Sequence, residues 1–291
     1  MNSAPELLAI ILHLQAEQNG TLPATNGQKV HGAFLQMVAA YSAGMVQTLH
    51  TANQERPFTL SSLRGNPPPS GKTSVDISSS PVIPVVAGGH YWIRITSLKA
   101  EVSLQLINML EKQRGALLKI GAVTFMVMDY DLNNHSRSGA TAYADMREEC
   151  LGIVAAPLPW FGWSFISATT IHSRGRNLLF PEPTAIFPRL VVRWNRFCPE
   201  ICRLPYRGDK DFALLVGQSL MVAANQLRTH MLEFGSNGRQ IGFTGYVEFR
   251  PDKTATDELL KLFHLLGRFS FFSGIGYSTP KGMGQVDFII P

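Results

Sequence analysis

The sequence predicts an α+β protein in which the order β-α-β-β-α-β occurs twice. Short apolar runs typical of strands alternate with longer stretches whose apolar residues recur at helical spacing. A polar and then proline-rich stretch at residues 132–159 separates two such series. The chain has 291 residues, 45% of them hydrophobic, which suffices for two domains of roughly 150 residues each.

The first series contains four strand patterns and two helix patterns. The strand patterns lie at residues 7–14, 57–63, 91–96 and 122–128. The helix patterns lie at residues 30–45 and 98–114, and Gly115 ends the second. This order is that of the split β-α-β unit of ferredoxin-like folds.

The second series repeats most of this order. Its strand patterns lie at residues 165–171, 243–249 and 285–290, and its helix patterns at residues 183–197 and 254–269. Residues 213–234 fit a helix and a strand equally well. We therefore predict two tandem ferredoxin-like (RRM-like) domains, at residues 1–139 and 140–291.

Charge and cysteine content restrict the class of protein. A net charge of +5 and a pI near 9.2 fit a polyanionic partner without requiring one. The three cysteines are too few for a disulfide framework, and Cys198 and Cys202 lack the second ligand pair of a zinc site. We expect these two residues and Cys150 to be reduced thiols in a cytoplasmic protein.

The sequence does not predict export or membrane insertion. The first residues contain no basic segment before the apolar run. No apolar stretch approaches the roughly 20 residues that span a bilayer. We therefore expect no membrane partner.

Residues 273–286 contain four glycines in two closely spaced pairs with one lysine between them. The glycines are Gly274, Gly276, Gly282 and Gly284, and the lysine is Lys281. Because glycine adopts positive φ and has no Cβ, successive N–H groups in such a loop can converge on an anion beside the lysine. Phosphate is the predicted ligand, and a flexible β-turn is the alternative.

Two nucleotide-binding motifs are excluded by their spacing. Thr279 stands where the dinucleotide-binding motif needs its third glycine. Five residues, where the phosphate-binding loop of nucleotide hydrolases has four, separate Gly65 from Gly71. The prolines between them also lack N–H donors, so nucleotide hydrolysis is not expected.

Four blocks of sequence together resemble the repeat-processing endoribonucleases of CRISPR systems, a tandem ferredoxin-like superfamily also known as RAMP proteins. The blocks are residues 49–50 with 57–63, residues 167–170 with 179–183, residues 242–249 with 265–272, and the glycine-rich stretch at 273–286. They occur in the order of that family and cover nearly the whole chain. One departure is Ala168, where the family usually has a proline, and it concerns the local loop geometry.

The resemblance implies an activity and a partner. Members of the family bind CRISPR repeat RNA, often as a short hairpin, and cut the precursor once to release guide RNAs. Neither a metal nor another cofactor is implied, because the 2′-hydroxyl of the substrate attacks and leaves a 2′,3′-cyclic phosphate and a 5′-hydroxyl. Some homologues bind RNA without cutting it, so a non-cleaving RNA-binding subunit of an effector complex is the alternative. Further partners that stay open are effector-complex subunits and a second copy of the chain.

The resemblance also assigns candidate catalytic residues to the first domain. His50 is the first choice for the general base, and a surface histidine at a helix end is the alternative. His31 begins the first helix beside its apolar stripe, where it either faces the scissile phosphate or caps a packed surface. Arg56 follows His50 by six residues, where the family often has a basic residue that stabilises the developing charge. A solvated loop arginine is the alternative for Arg56.

Candidate RNA-binding residues lie in the second domain. They are the four glycines and the lysine of the glycine-rich stretch, together with Arg174, Arg176 and Arg193. The arginines predict an electrostatic track for a phosphate backbone, to which Arg189 and Arg196 also contribute. For the helix arginines, a solvated helix face is the alternative. Because no aromatic strand pattern of the RRM type is evident, we expect contacts to hairpin shape and backbone to dominate.

Overall fold

The computed structural model describes residues 4–50, 55–65, 82–173, 175–233 and 239–291. The chain forms two compact units, each made of more than one segment. The first comprises Met1–Ala140, Met231–Gln240 and Ser278–Met283, and the second comprises Thr141–His230, Ile241–Tyr277 and Gly284–Pro291. The short segment Ser278–Met283 therefore belongs to the first unit although its neighbours in sequence belong to the second.

The first unit contains nine strands and three helices within the described residues. The strands are β1 (Leu7–Ala16), β2 (Gly20–Pro23), β3 (Phe58–Leu60), β4 (Arg64–Gly65), β5 (Val82–Val85), β6 (His90–Ser97), β7 (Leu117–Ile120), β8 (Val123–Asp131) and β9 (Gly139–Thr141), the last of which ends at the first residue of the second unit. The helices are α1 (Gly27–Tyr41), α2 (Ala43–His50) and α3 (Ala100–Glu111).

The main sheet of this unit has the ferredoxin-like topology. Its strand order is β3-β6-β1-β8-β7, and β4 and β9 pair with β6 and β1. Neighbouring strands are antiparallel. If the four main strands are counted along the chain, the order is second, third, first, fourth, as the split β-α-β unit requires. The strands β2 and β5 form a separate two-stranded ribbon.

The apolar pattern explains how these elements pack. The central strand β1 is almost entirely buried, which accounts for its nearly continuous run of leucine and isoleucine. Buried residues of α1 and α3 pack with those of β1, β6 and β8 in one apolar cluster. Within it, the rings of Phe34 on α1 and Phe58 on β3 lie 5.4 Å apart between centroids.

The predicted helix at residues 30–45 is interrupted at Ser42. This residue has an extended backbone with φ of −159°, and its Oγ accepts a hydrogen bond of 3.3 Å from the N–H of Met45. A serine in this position caps the next helix, so one predicted helix becomes α1 and α2.

The second unit contains six strands and four helices within the described residues. The strands are β10 (Phe161–Thr169), β11 (Ile171–Ser173), β12 (Arg176–Leu178), β13 (Leu220–Glu233), β14 (Arg239–Pro251) and β15 (Val286–Ile289). The helices are α4 (Tyr143–Leu151), α5 (Pro183–Phe197), α6 (Lys210–Ser219) and α7 (Asp257–Ser273). The sheet order β13-β14-β10-β15 again reads second, third, first, fourth. The predicted fold of two ferredoxin-like repeats is therefore confirmed.

Large aromatic side chains fill the core of the second unit. Phe161 and Trp163 of β10 pack with Phe187 of α5 and Phe249 of β14 at centroid distances of 5.3 to 6.0 Å. The indole N–H of Trp163 donates a 2.9 Å hydrogen bond to the hydroxyl of Ser270, so this buried polar group is satisfied. All three cysteines of the chain are buried and none forms a disulfide.

No helix among residues 4–50, 55–65, 82–173, 175–233 and 239–291 combines the length and apolar character needed to cross a bilayer.

Alanine substitution at two helix glycines is expected to change the stability of the protein in opposite directions. A Cβ at Gly267 of α7 would lie 2.1 Å from the ring of Phe288, whereas a Cβ at Gly32 of α1 would meet no atom within 4 Å. We expect Gly267→Ala to lower the free energy of unfolding by about 1–3 kcal/mol, because the half-buried ring of Phe288 must move. We expect Gly32→Ala to raise it by about 0.5–1 kcal/mol, since alanine favours the helix. Urea denaturation measures both, and a loss at Gly32 or no change at Gly267 would contradict this packing.

Candidate functional site

The first turn of α1 lies directly against the segment Ser278–Met283. A Cβ at Gly27 would lie 2.1 Å from the carbonyl oxygen of Lys281. A Cβ at Gly282, where φ is +88°, would lie 2.6 Å from the hydroxyl of Ser62. Gly282 also forms an isolated parallel bridge with Ser61. Both glycines are therefore required by close backbone approach, which brings α1, the residues after β3 and Lys281 together.

Asn26, the residue just before α1, also contacts the residues after β3. Its side-chain Oδ1 accepts a 2.7 Å hydrogen bond from the N–H of Leu63. The Asn26 side chain is fully buried, so this bond is shielded from water. The segment after β3 is thus tied to the beginning of α1.

His31 lies on α1 one turn after Gly27, and its side chain is in direct contact with that of Arg56, which precedes β3. His31 is 8% exposed, and its ring stacks on Phe58 at 6.0 Å with an interplanar angle of 4°. Its Nε2 lies 3.0 Å from Nη1 of Arg56. Because a guanidinium can only donate, Nε2 must accept, and His31 is the neutral tautomer with its proton on Nδ1.

His50 is the last residue of α2, six residues before Arg56 in sequence. Its side chain and residues 51–54 lie outside the described part of the structure. The predicted role of His50 therefore stays a prediction, while the backbone places it at the helix end that the sequence predicts.

Lys281 carries the positive charge of the glycine-rich stretch. Its N–H donates to the carbonyl of Ser278, which closes a short 3₁₀ turn at Thr279–Lys281. Its side chain forms no ion pair with any described residue. The charge of Lys281 is thus available to an external anion.

Several N–H groups of the glycine-rich stretch are hydrogen-bonded within the protein. Those of Gly274, Ile275, Tyr277, Lys281 and Gly284 donate to carbonyl oxygens of the protein, so these five do not point to an external anion. An anion contact through Gly276 or Gly282 stays a prediction. Gly274 ends α7 with φ of +67°, and a Cβ at Gly276 would lie 2.5 Å from the carbonyl oxygen of Thr170. Gly276 serves the packing of the loop, because it combines positive φ with this close contact, and the N–H of Gly284 donates to the carbonyl of Ala168 on β10.

The predicted arginines lie in different environments. Arg174 lies outside the described residues, and Arg176 is exposed on β12. Arg189 is exposed on α5 and donates to the carbonyl of His172. Arg193, on the same helix, is only 7% exposed, so its side chain is covered by protein.

Both halves of the sequence match models of one family. Residues 8–129 match the CRISPR Cas6 N-terminal domain, and residues 163–286 match the CRISPR-associated endoribonuclease Cas6. The chain belongs to the Cas6 family. No curated protein matches the sequence significantly.

Solved Cas6 structures share this architecture over almost their whole length. A Cas6 product complex aligns at a TM-score of 0.73 with 25% identity, covering 97% of this chain and 100% of the other. Thermus thermophilus Cas6 aligns at 0.69 with 24% identity, covering 99% and 100%. A Cas6-related protein from Pyrococcus furiosus aligns at 0.59 with 15% identity, covering 97% and 98%. The last two likenesses show the fold.

His264 has a perturbed pKa, although the sequence of this Cas6-family protein did not suggest a role for it. Burial, with a smaller contribution from Arg268, lowers the pKa of His264 on α7 to about 4. Its ring stacks on Phe288 at 5.9 Å, and Arg268 pairs with Glu149. His264 is therefore neutral at pH 7 and packs as an aromatic ring, so its shifted pKa reflects burial.

The residues that position His31 were also missed by the sequence reasoning. Phe58, Gly27 and Asn26 contact the candidate groups or the segments that carry them. Phe58 lies in the block shared with the family, which is the one signal that could have identified it. Gly27 and Asn26 stand in an ordinary polar stretch, and only the close approach of Lys281 shows why they matter.

The tautomer of His31 is directly measurable. We expect long-range ¹H–¹⁵N spectra of the isolated protein to show neutral His31 protonated on Nδ1, because Nε2 accepts from Arg56. Arg56→Leu should move the population toward the Nε2-protonated form, whereas Arg114→Leu, which removes an arginine paired with Asp129, should leave it unchanged. Protonation of Nε2 in the unmodified protein would contradict the described contact.

Proposed function

We propose that this Cas6-family protein binds CRISPR repeat RNA and cleaves the precursor transcript to release guide RNAs. The family match across both units and the alignment with a Cas6 product complex support this proposal. The observation that carries it is the contact of His31 with Arg56 beside the Lys281 segment. Two of the predicted catalytic residues are in contact here, and the helix that carries His31 packs at its first residue on the backbone of Lys281.

The chemistry requires a base, an acid and a cation. The 2′-hydroxyl of the RNA attacks the adjacent phosphorus, so its proton goes to a base while the leaving 5′-oxygen receives a proton from an acid. Charge develops on the phosphorane oxygens, where a guanidinium stabilises it best through paired donors. We assign the base to His50 and the charge stabilisation to Arg56, and the reaction then yields a 2′,3′-cyclic phosphate and a 5′-hydroxyl.

His31 acts through Arg56 in this scheme. Its Nε2 lone pair is occupied by the guanidinium, and its ring is fixed against Phe58. A residue held in this way orients Arg56 toward the phosphate and does not itself transfer a proton. His31 is therefore proposed as a positioning residue, and its use as the general acid is the alternative.

The RNA backbone is proposed to contact three cations. They are the half-buried Lys281 and the exposed Arg176 and Arg189 of the second unit. Arg193 is excluded from this set because its side chain is covered. We retain the predicted division into residues 1–139 and 140–291, with the catalytic candidates in the first domain. A cytoplasmic location and a homodimer or effector-complex subunits as partners also remain proposals.

The catalytic proposal is tested by single-turnover cleavage of the repeat RNA from the protein's own CRISPR locus. We expect His50→Ala to slow cleavage by about 10²–10⁴-fold with the dissociation constant changed only a few-fold, because a general base adds little to ground-state binding. Cleavage should persist in excess chelator and leave the two ends named above. For His31, we expect His31→Gln to recover part of the rate that His31→Ala loses, since an amide oxygen can still accept from Arg56.

The control variant is His90→Ala, which removes an exposed histidine at the start of β6. Unchanged cleavage by His50→Ala would make His31 the leading base. Equal losses in His31→Ala and His31→Gln would assign proton transfer to His31. Products with 3′-hydroxyl and 5′-phosphate ends would exclude attack by the 2′-hydroxyl. Tight binding without cleavage by the unmodified protein would favour the non-cleaving RNA-binding subunit.

A separate measurement tests the RNA contact of Lys281. We expect Lys281→Gln to reduce the slope of log K against log salt by about 0.7–0.9, which corresponds to one phosphate contact. Lys99→Gln is a matched control, because its ammonium already lies 3.7 Å from the carboxylate of Glu101. Equal slopes for Lys281→Gln and the unmodified protein would show that Lys281 makes no phosphate contact and would favour the alternative that the glycine-rich stretch is only a turn.

A further inference from the structure

Two aromatic side chains of the second unit meet beside the glycine-rich stretch. The rings of His172, on β11, and Tyr277 are 4.4 Å apart between centroids with an interplanar angle of 68°, an edge-to-face arrangement. Tyr277 remains 50% exposed, although most aromatic pairs of this unit lie in its core. None of the chemistry proposed above uses this pair.

The backbone of Tyr277 is hydrogen-bonded to the residue that follows β10. Its N–H donates a 2.8 Å hydrogen bond to the carbonyl of Thr170. Thr170 is fully buried, and its hydroxyl donates in turn to the carbonyl of Ile241. Because Gly276 has positive φ and no room for a Cβ, the chain enters Tyr277 along a fixed path. The exposed ring therefore stands on a rigid support.

His172 is held by two independent contacts. It pairs with Asn177 across the ribbon formed by β11 and β12. Its carbonyl oxygen accepts from the guanidinium of Arg189, which brings an exposed cation to the base of the ring pair. Arg176, exposed on the facing strand of the ribbon, adds a second positive charge to the same short element.

A rigid exposed ring with cations beside it suits a nucleotide that is not base-paired. A splayed base stacks on an aromatic face, while its phosphate is attracted to neighbouring arginines. A duplex cannot use the pair in this way, because its bases are stacked on one another and present only their edges. The edge-to-face contact with His172 also restricts the tyrosine ring before binding, so less conformational entropy is lost.

We propose that Tyr277, buttressed by His172, stacks on one unpaired base of the bound RNA. The inference rests on the proposed function, since it names a contact for the same RNA. It differs from the sequence-based expectation that contacts to hairpin shape and backbone dominate, because it adds a contact with a base.

The test uses the repeat RNA of the protein's own CRISPR locus with 2-aminopurine placed at each unpaired position in turn. At one position, binding of the full-length protein should quench the fluorescence, and Tyr277→Ala should abolish the quenching while Tyr277→Phe retains it. Tyr277→Ala should weaken binding about 5- to 100-fold, the range typical of one base–aromatic stack. His172→Ala should weaken it less, because Tyr277 remains.

An abasic nucleotide at the quenched position separates stacking from a structural effect. It should weaken binding by the unmodified protein about as much as Tyr277→Ala does, and the two changes together should cost little more than either alone. Tyr130→Ala is the matched aromatic control, because its hydroxyl bonds to the carboxylate of Glu111, which repels RNA. It should leave affinity and quenching unchanged.

Two results would overturn the inference while the proposed function stands. One is unchanged affinity of Tyr277→Ala for an RNA that the unmodified protein binds and cuts. The other is an equal loss of affinity for the intact RNA and for every abasic RNA. Failure of the unmodified protein to bind any repeat RNA would instead reject the proposed function together with the stacking pair.

Discussion

The contact between the first turn of α1 and the segment Ser278–Met283 is the constraint on which the candidate site depends. Gly27 and Gly282 leave no space for a Cβ, so backbone packs on backbone. Helix α1 begins at this contact, and His31 follows one turn later on the same rigid element. The bond from Leu63 to Asn26 ties the residues after β3 to the same place. A side chain at either glycine would therefore act on the position of His31 relative to Lys281, although it touches neither ring nor ammonium.

Much of the fold could be predicted from the sequence because the period of apolar residues differs between strands and helices. Residues 213–234 show where this signal fails. They contain most of α6 and the whole of β13, an edge strand whose middle, residues 223–229, is largely exposed on both faces. Without a buried face, such a strand shows no alternation, and the junction at Leu220 could not be located. The split of the first predicted helix at Ser42 was missed for a different reason, since only the capping hydroxyl marks it.

The site was predictable in its residue types but not in its contacts. The family resemblance drew attention to Arg56, the start of the first helix to His31, and the glycine-rich stretch to Lys281. The hydrogen bond between His31 and Arg56, however, joins residues 25 positions apart, which no local pattern encodes. The glycines show the opposite limit. Their number indicates a backbone of unusual shape, but it does not say where the N–H groups point. In the structure five N–H groups of the loop donate to carbonyl oxygens of the protein. Gly276 is required there because its backbone approaches the carbonyl of Thr170.

The number of N–H donors on Arg56 determines whether it can contact His31 and a phosphate at the same time. A guanidinium has five N–H donors in one plane, and the bond to His31 uses one of them. Because a histidine nitrogen and a phosphate can contact different N–H groups of one guanidinium, the bond to His31 does not by itself exclude a phosphate contact. A lysine at this position would have a single nitrogen and could not hold both partners in a fixed plane. Because His31 accepts the hydrogen bond in this contact, its ring is neutral there. The proposed scheme therefore gives His31 a positioning role and assigns proton transfer to a different histidine, His50.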